Sequence, residues 1–289
     1  MVCTDLDEIL EPNWANILRE KWIEGTHERA TYKYAWSHDE EGNPARIFQY
    51  NKIHSKNWLW NFPVHECLVW KNDDLNVDYT TEQELLVFDE IYLHHYPDKT
   101  KSRSSYLPLL ELRKKEYPTD YYGKIYLAHE YFYRGYYEKS IAELKEILDN
   151  CADKYNSVEQ ASCYLFMGDS YRALNDPKNA VASYQQALLA DNTYREPYIN
   201  LATILNEQQL YNQAIGVIKD CFKNTYRHYT WLERDTSWTY ESYDILSIAY
   251  YYINDFNNSF INIQKVLQYC PEDKRILYNL NFIKEKIFD

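Results

Sequence analysis

The chain has 289 residues, is 45% hydrophobic, and sets 31 Lys and Arg against 44 Asp and Glu, for a net charge of −13. That length allows one or two domains, and that charge excludes a general nucleic-acid binder, which needs basic surface to displace phosphate counterions. With only 6 glycines beside 31 tyrosines, no glycine-rich phosphate loop of the dinucleotide-binding or Walker type can be found. In chain order, the first feature is Asp5-Leu6-Asp7-Glu8, between Val2 and Ile9-Leu10. Two carboxylates at alternate positions, where a strand breaks into a turn, can hold one divalent cation directly or through water. The alternative is a pair of solvated acids. Pro12 to Trp22 reads as a helix, because Ile17, Leu18 and Trp22 recur at helical spacing. Thr31–Trp36 and Arg46–Tyr50 are rich in β-formers and flank the turn Glu41-Gly42-Asn43-Pro44, so they read as paired strands. Trp58-Leu59-Trp60 is a third short strand. Pro63-Val64-His65-Glu66 puts an imidazole beside a carboxylate, a ligand and a base side by side, or else a packed, hydrogen-bonded His. Thr80 and Thr81 before Glu82 and Glu84 suit a helix start. His94 to Arg103 gathers two imidazoles with Lys99, Lys101 and Arg103. This is either a local site for an anion such as pyrophosphate or a solvated basic turn. From about residue 104 onward the pattern is helical.

The helical half repeats itself. Leu127-Ala128, Tyr131, Gly135, Tyr137, Ser140, Leu144, Ile147 recur at the same offsets as Met167-Gly168, Tyr171, Asn175, Pro177, Ala180, Tyr184, Ala187. They recur again as Leu201-Ala202, Leu205, Gln209, Tyr211, Ala214, Ile218, Cys221, and as Leu246-Ser247, Tyr250, Asn254, Phe256, Ser259, Ile263, Val266. The starts lie 40, 34 and 45 residues apart, with the excess in loops near 151–160 and 226–238. Small residues at two fixed offsets let the helices of a hairpin approach, and large ones fill the space between hairpins. The pattern resembles the tetratricopeptide repeat. Asp273–Ile287 then reads as a capping helix, and the tyrosine stripes as core packing, with a concave binding surface as the use such solenoids have.

The first hundred residues resemble a second family. The string Asp5–Trp14, then Lys52-Ile53-His54-Ser55, then Trp60-Asn61-Phe62-Pro63-Val64-His65-Glu66 is similar to the C-terminal half of a family-two glycosyltransferase domain. More narrowly, it looks like the bacterial and viral group in which that domain runs into tetratricopeptide repeats. His95–Lys99, Lys101–Arg103, Tyr106–Leu112, Arg195–Tyr198 and Trp238–Asp244 extend the resemblance along the chain. It implies a fold class of α/β partial GT-A domain over 1–100, followed by an all-α repeat solenoid over 101–289, mostly α overall. It implies that Asp5 and Asp7 bind manganese or magnesium bridging the diphosphate of a nucleotide-sugar donor such as a UDP-sugar, offsetting charge as the leaving group departs. It casts Glu66 as the general base on the acceptor hydroxyl, His65 as a residue near the metal or the acceptor, His95 as an added metal ligand, and Lys99, Lys101 and Arg103 as contacts to the diphosphate.

The resemblance also implies a preceding βαβα portion that binds base and ribose, whereas only four residues precede Asp5. The expectation is a truncated relic, a half completed by a separate polypeptide, or a longer protein. Two functions stay open. One is a sugar transferase acting on a glycan or protein acceptor presented along the repeats. The other is a non-catalytic interaction scaffold carrying a transferase remnant. A homodimer is expected through unpaired strand edges or the solenoid end. No apolar run reaches the about 18 residues of a spanning helix, and Met1–Asp5 lacks a signal-peptide pattern. The six cysteines, at 3, 67, 151, 163, 221 and 270, form no Cys-x-x-Cys and read as buried thiols of a cytoplasmic protein.

Overall fold

The computed structural model describes residues 1–39, 42–70, 85–98, 100, 102, 104–228 and 232–288. Its contacts divide the chain into a compact unit over Met1–Glu130 and a second over Tyr131–His228 and Leu232–Asp289.

The first unit is built on a four-stranded mixed sheet. Its strands are β1 (Glu8–Leu10), β2 (Arg29–His38), β3 (Pro44–His54) and β6 (Leu85–His95), in the order β1-β6-β2-β3. β2 and β3 run antiparallel with Tyr34 opposite Phe48, as the alternating β-formers around the Gly42 turn predict. β6 lies parallel to β2, with Ala30 opposite Leu86, and antiparallel to β1, with Ile9 opposite His94. Ala30, Tyr32, Tyr34, Ile53, Phe88, Ile91 and Leu93 form the buried core of this sheet. Helix α1 (Trp14–Lys21) covers it, laying Trp14, Ile17 and Leu18 on that core. This is the helix predicted from the spacing of its apolar residues. The predicted helix start at Thr80–Glu84 lies outside the described residues, and Leu85 onward is strand rather than helix. Phe88, Ile91 and Leu93 of that stretch are buried against β2, and that burial outweighs the local helix-start signal. β4 (Trp58–Asn61) and β5 (Cys67–Trp70) form a separate two-stranded sheet. Helices α2 (Tyr106–Glu116) and α3 (Tyr121–Tyr133) follow; α3 crosses the boundary between the units.

The second unit stacks helical hairpins. α5 (Ser157–Ala173) pairs with α6 (Pro177–Ala190), α7 (Glu196–Glu207) with α8 (Tyr211–Cys221), and α10 (Glu241–Tyr252) with α11 (Phe256–Leu267). α4 (Tyr137–Asn150) packs on α5, α6 on α7 and α8 on α10, while α12 (Lys274–Phe288) caps α11. A short α9 (Asp235–Trp238) lies in the longest interval. The four copies read from the sequence share one turn. Gly135, Asn175, Gln209 and Asn254, at one offset, all have positive φ, between 58° and 78°. The small residues work as expected: a methyl on Gly168 would lie 2.5 Å from the Tyr184 ring, and Ser259 Oγ donates to Ser247 O at 2.7 Å. Ile263, Val266, Ile276 and Ile283 form the core beneath the cap. All six cysteines are free thiols; Cys163 and Cys221 are buried and the rest half-buried.

Candidate functional site

Asp5 and Asp7 sit in the turn before β1, as the sequence suggests, but they face different partners. Lys52 of β3 is buried, and its ammonium donates to both oxygens of the buried Glu8 (2.6 and 2.7 Å) and to Asp5 Oδ2 (2.8 Å). Tyr34 OH also donates to Glu8, at 2.8 Å. Burial first, then the Glu8 carboxylate, raises the Tyr34 pKa far above its ordinary value, so the phenol stays a donor. Asp5 is the open end of this cluster, with 72% of its side chain exposed. Asp7 turns to β6 instead: its Oδ2 lies 3.5 Å from His95 Nε2. The Tyr96 amide donates to Asp7 O at 2.7 Å, tying the turn to the end of β6. His95 stacks on Trp36 (4.5 Å, 26°), and its Nδ1 lies 3.2 Å from Trp36 O. The structure therefore brings Asp7 and His95 together, with Asp5 joined to them only through the turn. Among the described residues no group of three or more His, Cys, Asp or Glu side chains is gathered as a metal-holding cluster.

His65 and Glu66 stand on a different support. The loop that bears them has two left-handed non-glycine residues, Phe62 (φ 80°) and His65 (φ 49°), a conformation that costs energy unless the surroundings enforce it. Arg113 of α2 does so. It is fully buried, donates to Val64 O and His65 O (2.7 Å each), pairs with Asp120, and lies 3.9 Å over the Phe62 ring. His65 then stacks on Tyr126 of α3 at 4.2 Å and 7°. Glu66 is exposed. Burial raises the Tyr50 pKa, with smaller raising contributions from Cys67, Glu8, Asp5 and Glu66. Lys99, Lys101 and Arg103 lie outside the described residues. In the sequence Arg113 and Asp120 have no assigned role, and Lys52, Trp36 and Tyr50 stand only within a matched string or an expected strand, since each acquires its role from residues far away in the chain.

The hairpins carry a polar network of their own. Tyr184 OH and Asn200 Nδ2 both donate to Asp169 Oδ1 at 2.7 Å, and Arg234 donates to Asn200 Oδ1 at 3.1 Å. Glu196, 1% exposed, accepts from the Arg234 amide and from Ser237 Oγ. Burial pushes the Glu196 pKa up to about 7, against the lowering effect of those hydrogen bonds. The interval between α8 and α10, which appeared in the sequence as excess length, is in this way bonded to the start of α7.

The sequence model of the tetratricopeptide repeat matches residues 161–194. That stretch is the body of the α5–α6 hairpin and the loop after it. Solved structures similar to this chain include a thermophilic tetratricopeptide-repeat protein of Thermus thermophilus, at 15% identity and TM-score 0.45, covering 61% of this chain and 88% of that one. MamA of Desulfovibrio magneticus is similar at 17% identity and TM-score 0.45, covering 55% and 81%. A tetratricopeptide repeat protein from Parabacteroides merdae is similar at 11% identity and TM-score 0.49, covering 63% and 66%. No curated protein matches the chain.

Proposed function

We propose that this chain is a protein-interaction scaffold whose binding surface is the stack of tetratricopeptide hairpins. The observation that carries this reading is the hairpin turn repeated four times at one offset, with the family match on the second copy. Stacked repeats of this kind present an extended surface along successive helices. Arg172 and Glu207 pair between α5 and α7, and Arg275 pairs with Asp244 of α10. These pairs join one hairpin to the next, the first at the C-terminal ends of α5 and α7 and the second at the N-terminal ends of α10 and α12. Photo-crosslinkers at Arg172, Thr203 and Tyr252 should capture a partner from the source cell, while crosslinkers at Lys178 and Lys219 should not. Capture equal at both sets, or at neither, counts against the reading.

A second reading is favoured by the approach of Asp7 to His95: a glycosyltransferase-like activity in the first unit, complete alone or with a separate chain. The donor set fits a divalent cation in part. Asp7 and His95 supply an oxygen and a nitrogen, while the Asp5 carboxylate is taken by Lys52. Manganese or magnesium there would neutralise the diphosphate of a nucleotide-sugar. Glu66, held on the Arg113-braced loop, would take the acceptor proton, with His65 beside it and Lys99, Lys101 and Arg103 toward the diphosphate. The test is manganese-dependent hydrolysis or transfer with a UDP-sugar. Loss in Asp7→Ala and Glu66→Ala supports the reading, and no manganese-dependent nucleotide binding by the chain sinks it.

A further inference from the structure

The adjoining ends of β2 and β6 carry a histidine pair, His38 and His94, that neither function uses. Tyr92, His94 and Tyr96 alternate along the chain, so their rings stand on one side, opposite to that of His95. They stack in series, Tyr92 on His94 at 6.2 Å and His94 on Tyr96 at 6.3 Å. The β2–β3 pairing slips between Ser37 and His38. At that irregularity His38 lies flat on Tyr96 (4.8 Å, 5°) and beside His94 (5.2 Å, 21°). As a result His38 Nε2 and His94 Nδ1 face each other at 2.9 Å. On the far side of the His94 ring, Nε2 meets the Glu11 carboxylate at 2.9 Å. Three ring contacts and one carboxylate therefore hold the two imidazole nitrogens face to face.

We propose that His38 Nε2 and His94 Nδ1 form a two-imidazole binding site for a borderline divalent transition cation of the Zn2+ or Cu2+ class. Two nitrogens bound cis to one metal at about 2.0 Å lie roughly 2.8 to 3.3 Å apart, from square-planar to tetrahedral geometry. The observed 2.9 Å falls in that range, and binding tilts each ring so that its lone pair leaves the N–N axis and turns to the cation. Glu11 accepts the Nε2 proton of His94, which leaves Nδ1 as the lone pair. A carboxylate behind a ligating histidine fixes its tautomer and raises its basicity in this way. Without metal, the pair is held by the Nε2 proton of His38, which His94 Nδ1 accepts. On binding, that proton moves to His38 Nδ1, so both lone pairs meet the cation and no proton is released. Imidazole donors select zinc, copper or nickel, whereas magnesium and manganese prefer oxygen ligands. Two protein donors leave the remaining positions to water. Tyr96, 52% exposed, shows that this end of the sheet opens to solvent. The site is separate from Asp7 and His95, whose imidazole is turned to Trp36 O.

Calorimetric titration of the full chain with Zn2+ and with Cu2+ tests the assignment. One equivalent should bind. His38→Ala and His94→Ala should each weaken binding by about tenfold or more, and Glu11→Gln by about tenfold, as outer-shell carboxylates do. His27→Ala should leave it unchanged. An affinity that survives the His38→Ala/His94→Ala double variant, or no binding by the folded wild type, overturns the proposal. If a variant fails to fold, imidazole 15N spectra of the wild type decide. Metal-induced shifts belong at His38 Nε2 and His94 Nδ1, and shifts confined to other histidines overturn it.

Discussion

Arg113 shows how one side chain organises its surroundings. It has no exposed surface, and its guanidinium meets Asp120, two carbonyls and the face of Phe62. A buried ion pair of this kind gives little net stability, but losing one partner strands a charge and costs about 3–5 kcal/mol. Asp120→Ala should therefore lower unfolding free energy in urea by that amount. Gly123 has no room for a larger residue: a methyl there would lie 2.4 Å from Asp120 Oδ2 and 2.7 Å from Arg113 Nε. Gly123→Ala should cost about 1–3 kcal/mol by overpacking, and its urea midpoint should fall accordingly. The same variant should release the loop bearing His65 and Glu66, visible as loss of the His65–Tyr126 ring-current shift in proton spectra.

The hairpin is the natural element. Its first helix in the second copy starts with a reciprocal cap: Asn156 accepts from the Glu159 amide while Glu159 accepts from the Asn156 amide, both at 3.0 Å. Asn156→Ala should cost about 1 kcal/mol in thermal or urea unfolding. Its turn requires a left-handed residue, which the four copies supply as Gly, Asn, Gln and Asn. Gln209 is the least suited of these, since a left-handed side-chain-bearing residue costs about 1–2 kcal/mol. Gln209→Gly should thus stabilise the chain, less the entropy that glycine adds to the unfolded state. A fall in melting temperature would contradict this account of the turn.

Over the whole molecule, two buried groups set opposing pH trends. Burial first, and then His65, lower the His129 pKa to about 3. A depressed histidine contributes stability that is complete above its unfolded value, about 6.5, and is lost as pH falls toward its folded one. Glu196 is the reverse. Its folded value near 7 exceeds its ordinary 4.5, so its contribution is full below 4.5 and lost as pH rises through 7. Melting temperature followed from pH 4 to 8 should show a weaker acid limb in His129→Gln and a flatter neutral limb in Glu196→Gln. Unchanged limbs would remove these groups from the account. The net charge of −13 adds self-repulsion that acid relieves, so the variants must be compared with wild type at each pH.

The repeat half was legible in the residue order because its contacts are local. Each hairpin packs residues fewer than 40 positions apart, so the small positions, the turn residue and the large fillers recur at fixed offsets. Short-range pattern likewise located α1, the β2–β3 pair and the acidic turn at Asp5–Asp7. The rest depended on residues distant in sequence. Lys52 claims Asp5 and Glu8 from more than 40 positions away, Arg113 grips a loop 48 positions earlier, and His38 meets His94 across 56. The helix-start signal at Thr80–Glu84 stands just before Leu85–His95, which is strand through its partner β2. No spacing rule encodes such meetings, because they arise only when the sheet closes and the buried charges must find partners.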